Sequence, residues 1–207
     1  MTTDVRTAKN ELRRAALRRR AGIEARERET AGHALADSAA DLLDMAVSSR
    51  RKGIATIAAY ISMGSEIPLD PLLRLALGRG LRILVPRLGS GLDLGWGVLR
   101  SMEDLHTVGR FRSGRERPRE PGGPVLPAEA IGEAGVVLVP ALSVDLHGTR
   151  LGRGGGWYDR MLASAEPCPA VVAVCWTWEV VAGPLPHEPH DVPVNTVLTP
   201  DGMTSLG

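Results

Sequence analysis

A chain of 207 residues with a formal net charge of +1 is long enough for one domain with a sizeable core, and its near-neutral balance speaks against a dedicated nucleic-acid binder or a membrane-surface protein. Its two cysteines, Cys168 and Cys175, show no CxxC or finger spacing, which leaves neither a disulfide scaffold nor a zinc module. Polar sequence follows Met1 and no run of about 18 apolar residues occurs, so a soluble cytoplasmic protein is expected.

Val5, Ala8, Leu12, Ala15 and Ala16 recur at three- and four-residue spacing and predict an amphipathic helix over 4–20. Lys9 and Arg13 share one face of it, four residues apart; a solvated basic face is the plain alternative. Lysine occurs only at Lys9 and Lys52, so chemistry that needs an ammonium has two candidates. A second helix is expected over 24–47. An apolar strand follows over 54–61, then a loop, a helix over 69–78, and strands over 81–86 and 92–99. Segment 110–127 is rich in Gly, Pro and Arg (Arg110, Arg112, Arg115, Arg117, Arg119). It reads as an exposed loop rather than a nucleic-acid patch, because Phe111 is its only aromatic. Short buried strands are expected over 135–139, 170–175 and 194–198, with a helix between the first two.

This alternation predicts a three-layer α/β/α fold with a mostly parallel, Rossmann-like sheet, as a single domain over 1–207. Ligands in such sheets lie at the carboxyl ends of the strands. Trp96, Trp176 and Trp178 read as core or pocket wall.

The most informative stretch is 150–160, Arg-Leu-Gly-Arg-Gly-Gly-Gly-Trp-Tyr-Asp-Arg. Gly152, Gly154, Gly155 and Gly156 let a backbone turn through positive φ and present successive N–H groups as an anion cradle. A helix starting at Trp157 would add its N-terminal dipole. The Walker loop needs a lysine that is missing here, and the dinucleotide fingerprint fails because Trp157 stands where its third glycine belongs. A plain surface turn is the alternative. Against it stands Asp159, an acid able to hold a metal beside bound phosphate, as hydrated Mg²⁺ commonly requires.

Residues 139–160, from Val-Pro-Ala-Leu-Ser-Val-Asp to the glycine-rich run, resemble the signature of the 5-formyltetrahydrofolate cyclo-ligase (methenyltetrahydrofolate synthetase) family. Lys9-x-x-Leu12-Arg13 resembles its N-terminal helix, and Ser62 to Glu66-Ile67 its substrate loop. Val85-Pro86-Arg87 and Leu185-Pro186-x-x-Pro-His190-Asp191 follow in the family's order, so the resemblance spans nearly the whole chain.

The resemblance implies MgATP-dependent conversion of 5-formyltetrahydrofolate to 5,10-methenyltetrahydrofolate with release of ADP and phosphate, through a phosphorylated formyl group. It implies a monomer whose partners are ATP and the folate, with neither nucleic acid nor membrane. Lys9, Arg13 and Arg153 take catalytic roles, and Arg150, Gly152, Gly154, Gly155, Gly156 and Tyr158 join them in holding ATP. Ile61, Glu66, Trp157 and Tyr158 contact the folate, while Asp159 and Asp191 hold Mg²⁺. His187 and His190 fall outside that set, since prolines separate them and such a metal prefers oxygen.

The sequence departs from the family at Gly155, where many members carry lysine, and at Trp157, where tyrosine is more usual. Two readings from other classes stand beside the ligase: a non-catalytic folate- or nucleotide-binding paralogue, and a sugar-phosphate isomerase or acyl-transfer enzyme on a similar scaffold.

Overall fold

The computed structural model describes residues 4–50, 53–88, 94–110, 114, 116–163 and 165–206. In chain order the helices are α1 (Val5–Ala21), α2 (Ala25–Asp37), α3 (Ala40–Ser48), α4 (Asp70–Gly78) and α5 (Trp157–Ala163). The strands are β1 (Thr56–Ala58), β2 (Arg82–Leu88), β3 (Leu94–Leu99), β4 (Leu105–His106), β5 (Glu120–Pro121), β6 (Val136–Pro140), β7 (Ser143–Asp145), β8 (Arg150–Leu151), β9 (Ala170–Val174), β10 (Val180–Val181), β11 (Thr196–Thr199) and β12 (Gly202–Ser205).

Seven strands form the main sheet in the order β12-β11-β9-β6-β1-β2-β3. Its five inner strands run parallel, while β3 and β12 close the edges antiparallel. Strands buried on both faces need apolar residues at every position, as in Val136-Val-Leu-Val139 and Val171-Val-Ala-Val174. The period of two then assigns each residue to a face. Val136, Leu138, Val172 and Val174 pack with Leu35, Leu42, Leu43, Leu72 and Leu73 of α2, α3 and α4. Val137, Val139, Val171 and Ala173 face Met161 and Leu162 of α5, Ile131 of a short 3-10 turn, and Trp96. The three layers expected from the alternation are present.

Several boundaries differ from the sequence reading. The helix expected over 24–47 is two helices, interrupted at Ser38 and Ala39, where Ser38 Oγ donates to Pro200 O at 3.4 Å. Serine's capacity to bond outside the helix competes with helical continuity, and neither glycine nor proline marks the break. Strand β1 is shorter than 54–61, with Ile54 exposed. Strand β12 and the small β10-β7-β8 sheet were not expected. In segment 110–127, β5 pairs with β4, and buried Glu120 accepts from Arg87 Nε at 3.4 Å and Arg117 Nη2 at 3.0 Å. Lys52, Phe111, Arg112 and Arg115 lie outside the described residues.

The largest correction concerns α1. Most of the expected apolar stripe does not dock: Val5 and Leu12 are 36% and 39% exposed and Ala15 is exposed, whereas Lys9 and Arg20 are 5% and 2% exposed. Lys9, Arg13, Ala16 and Arg20, at spacings of four, three and four, form the inward face. Arg20 fixes it, donating through Nε and Nη2 to the two carboxylate oxygens of Glu179 at 2.7 and 2.6 Å and to Ala141 O at 2.5 Å. The helix is therefore laid across the carboxyl ends of β6 and β9 by a bidentate ion pair.

Candidate active site

Strand β1 is the switch point of the sheet: the chain proceeds from it to β2 on one side, while β6, β9 and β11 extend on the other. Loops leaving the carboxyl ends of β1 and β6 diverge there and leave a crevice. Four segments meet in it, namely α1, the loop after β1, the glycine loop after β8, and the loop 185–191.

The loop after β1 is closed by Ser62, whose Oγ donates to Ile67 O and accepts from Leu69 N, both at 2.9 Å. Inside it Glu66, 7% exposed, accepts from Met63 N at 2.8 Å and from Arg153 Nε at 2.9 Å. This second contact spans 87 residues and ties the loop to the glycine run. Ile61 is buried at the loop's start, and a cavity of about 350 Å³ opens beside Met63, Glu66, Arg28 and His33.

In the glycine run, Gly154 and Gly156 have φ of +90° and +61°, a region costly for residues with a Cβ. A Cβ on Gly154 would also lie 3.1 Å from the Arg13 guanidinium carbon, and one on Gly152 2.7 Å from Arg150 Nη1. The glycines thus let two arginines pass close to the backbone. A Cβ on Gly155 would meet nothing within 4 Å. Arg13 Nε donates to Gly152 O at 2.9 Å. The backbone N–H groups of Arg153, Gly154 and Gly155 donate to nothing among the described residues, which leaves an exposed row of donors. Helix α5 is only 7 residues long, so these donors and the guanidinium groups, rather than the expected macrodipole, carry the positive potential.

Trp157 packs edge-on against Trp96 and Tyr158, with centroids 5.1 and 4.7 Å apart, and its Nε1 is buried without an acceptor among the described residues. Tyr158 lies against Arg150, 5.9 Å from ring centroid to guanidinium carbon. Burial raises the Tyr158 and Tyr60 phenols well above their ordinary value, so both remain neutral hydrogen-bond donors.

The acids are held by different partners. Asp159 Oδ1 accepts from Arg150 Nη2 at 2.9 Å and from Val192 N at 3.4 Å, which draws the residue after Asp191 to the start of α5. Lys9 Nζ lies 2.5 Å from Asp191 Oδ2 and 2.8 Å from Glu188 Oε2. Desolvation of Lys9 would lower its pKa, but these two carboxylates outweigh it and raise the ammonium above its ordinary value. Burial likewise opposes ionisation of Asp191, yet Lys9 and the Glu188 N–H hold its pKa below normal. Asp145, 1% exposed, anchors the loop by accepting from Leu185 N at 2.8 Å as well as from His147 and Thr149 N.

The family model for 5-formyltetrahydrofolate cyclo-ligases matches residues 5–200. The chain belongs to the 5-formyltetrahydrofolate cyclo-ligase family. It is 40% identical over 205 residues to the cyclo-ligase of Mycolicibacterium smegmatis, covering 96% of this chain and 97% of that one. It is 28% identical over 151 residues to the Escherichia coli K12 cyclo-ligase, covering 70% and 78% of the two chains. The NMR structure of Aquifex aeolicus 5,10-methenyltetrahydrofolate synthetase superposes with a TM-score of 0.75 at 26% identity, over 96% of this chain and 92% of that one. The Mycoplasma pneumoniae synthetase, at 17% identity and a TM-score of 0.67, shares the fold. A cyclo-ligase is an enzyme that forms a C–N bond.

Of the residues expected for a cyclo-ligase site, Lys9 and Asp191, Arg13 and Gly152, Arg150 and Asp159, and Arg153 and Glu66 are joined in pairs through direct contacts, with Gly154 beside Arg13. Gly155, Gly156, Trp157, Tyr158 and Ile61 flank them. Glu188 was not expected, although it is one of the two unnamed positions in the Leu185-Pro186-x-x-Pro motif. Asp145 and the Arg20–Glu179 pair were also missed; Arg20 continues the spacing of Lys9 and Arg13, the one signal that pointed to it. His190 is exposed, its Nε2 4.0 Å from Asp191 Oδ1. No helix among the described residues is long and apolar enough to cross a membrane.

Proposed function

We propose that this enzyme cyclises 5-formyltetrahydrofolate to 5,10-methenyltetrahydrofolate with MgATP as co-substrate. The observation that carries the reading is the convergence of Lys9, Arg13 and the free N–H row of 153–155 on one crevice, with the buried carboxylate of Glu66 at its other end. The first group suits phosphate and the second a polar heterocycle.

The formyl oxygen attacks the γ-phosphorus as ADP leaves, giving an iminium phosphate; N10 adds to the formyl carbon and loses its proton, and phosphate departs. An amide oxygen is a weak nucleophile, so the protein's contribution is alignment and charge neutralisation rather than covalent participation. Lys9, Arg13 and the loop N–H groups meet the phosphate oxygens, and Arg13 is the one best placed. Among these cations and Arg150 and Arg153, only Arg13 has no carboxylate partner among the described residues. Arg153 orients Glu66 toward the folate, and Tyr158 and Trp157 wall the crevice.

The carboxylates of Asp159 and Asp191 are hard oxygen donors of the kind Mg²⁺ prefers, and Asp159 accepts from the N–H of Val192, the residue after Asp191. Asp159 and Asp191 would hold Mg²⁺, which would supply charge neutralisation for the phosphates of bound ATP. The deciding experiment incubates the purified protein with 5-formyltetrahydrofolate and MgATP and follows the near-UV absorbance of the methenyl product. Formation that requires both ATP and Mg²⁺ is expected. Turnover without ATP, or none with any nucleotide, refutes the assignment.

A further inference from the structure

The Lys9 ammonium, 5% exposed, lies between two carboxylates at 2.5 and 2.8 Å, a position with the chemistry of a cation site. The Asp191 carboxylate and the loop that carries Glu188 do not depend on Lys9 for their placement, while the Glu188 carboxylate itself meets Lys9. Glu188 N donates to Asp191 Oδ2 at 2.7 Å, and the loop carrying both is anchored at Leu185 by Asp145. Nor does α1 depend on Lys9 for its docking, since Arg20 is clamped by Glu179 and Ala141 at the other end. The ammonium is a compact charge on a flexible stem, free to move while the helix stays in place. Charge does not balance as it stands: two carboxylates face one ammonium, and a divalent cation would satisfy both.

We infer that Lys9 is a resident counter-cation. In the nucleotide-free protein it fills the position at Glu188 and Asp191 that a divalent metal takes, and arrival of the metal releases its ammonium to the phosphates. This rests on the reading that Asp191 holds Mg²⁺, and it adds Glu188 as a ligand and Lys9 as the metal's competitor. His190 has no part in it, because its exposed imidazole is a poor match for a hard cation.

The exchange couples the two ligands. Metal alone must displace Lys9, and ATP alone finds Lys9 already engaged; together each removes the other's obstacle. Such coupling is reciprocal by necessity.

The test titrates Mn²⁺ into nucleotide-free protein and reads the free ion by electron paramagnetic resonance, for wild type, Lys9→Met, Lys9→Arg, Glu188→Gln and the Lys9→Met/Glu188→Gln double variant, with thermal melts as a check on folding. Losing a charge-assisted contact that competes with the metal should tighten Mn²⁺ binding in Lys9→Met by about tenfold or more. Lys9→Arg keeps a competing cation and should stay near wild type, while Glu188→Gln should weaken Mn²⁺ binding and cancel the gain in the double variant. Unchanged or weaker Mn²⁺ binding in Lys9→Met overturns the proposal. If Lys9→Met does not fold, unchanged binding in Glu188→Gln overturns it instead. The titration contains neither nucleotide nor folate, so its outcome is separate from that of the cyclisation assay. A protein that forms product without the Lys9→Met gain loses only this inference, and one that shows the gain without product loses only the reaction.

Discussion

Replacing Arg20 by methionine tests how α1, and with it Lys9 and Arg13, is held in place. The Arg20 and Glu179 side chains are 2% and 0% exposed, and the guanidinium makes two bonds to the carboxylate and one to Ala141 O. Removing one partner of such a pair leaves an uncompensated buried charge and costs about 3–5 kcal/mol. For a protein of this size that lowers Tm by roughly 6–20 °C. Burial already pushes the Glu179 carboxyl above its ordinary value, against the pull of Arg20. Without the guanidinium its folded-state pKa rises further. A raised acid favours the folded state at low pH and loses that contribution as pH rises through the folded pKa, so the deficit of Arg20→Met should be smaller at pH 5 than at pH 8. The Arg20→Met/Glu179→Leu double variant, which buries no charge, should recover part of the loss. Thermal melts at the two pH values supply the stabilities, hydrogen exchange across α1 reports its docking, and the KM for ATP should rise as α1 loosens. A Tm within about one degree of wild type at both pH values, with unchanged α1 exchange, would refute the idea that this pair holds the helix.

Gly154→Ala should lose activity through a higher KM for ATP, because φ of +90° costs an L-residue about 1–2 kcal/mol and its Cβ presses on Arg13; Gly155→Ala, in open space, should be silent in steady-state kinetics. Gly155→Lys should be tolerated and lower the KM for ATP by adding an ammonium beside the N–H row, so a rise in KM would contradict the open geometry. Asp145→Leu should strand three backbone N–H groups, cost about 2–4 kcal/mol in denaturant melts, and weaken Mn²⁺ binding by freeing the 185–191 loop. The Lys9–Asp191 contact should be indifferent to pH from 6 to 9. The lowered Asp191 pKa makes its contribution present above the ordinary carboxylate value and lost only as pH falls below it, while the raised Lys9 pKa makes its contribution present below about 10.5 and lost above. A titration of ATP KM that Lys9→Arg abolishes between pH 6 and 9 would contradict this.

The sequence alone determined the parallel sheet, because strands buried on both faces must be apolar at every position and leave runs such as 136–139 that need no partner to be recognised. It also determined the glycine run, since positive φ and close approach of Arg13 and Arg150 exclude side chains there whatever the rest of the chain does. Lys9 and Arg13 were legible as one face of a helix, but which face docks was not. Periodicity ranked Val5 and Leu12 as the buried stripe, whereas the docking site offered carboxylates and a carbonyl to Lys9 and Arg20. Hydrophobic pattern describes what water rejects; it does not say which charges will find partners 159 to 182 residues away. Glu188 and Asp145 were hidden for the same reason. Each is an ordinary loop acid until the tertiary structure sets it against Lys9 or the backbone of Leu185, and only then does its charge have a defined use.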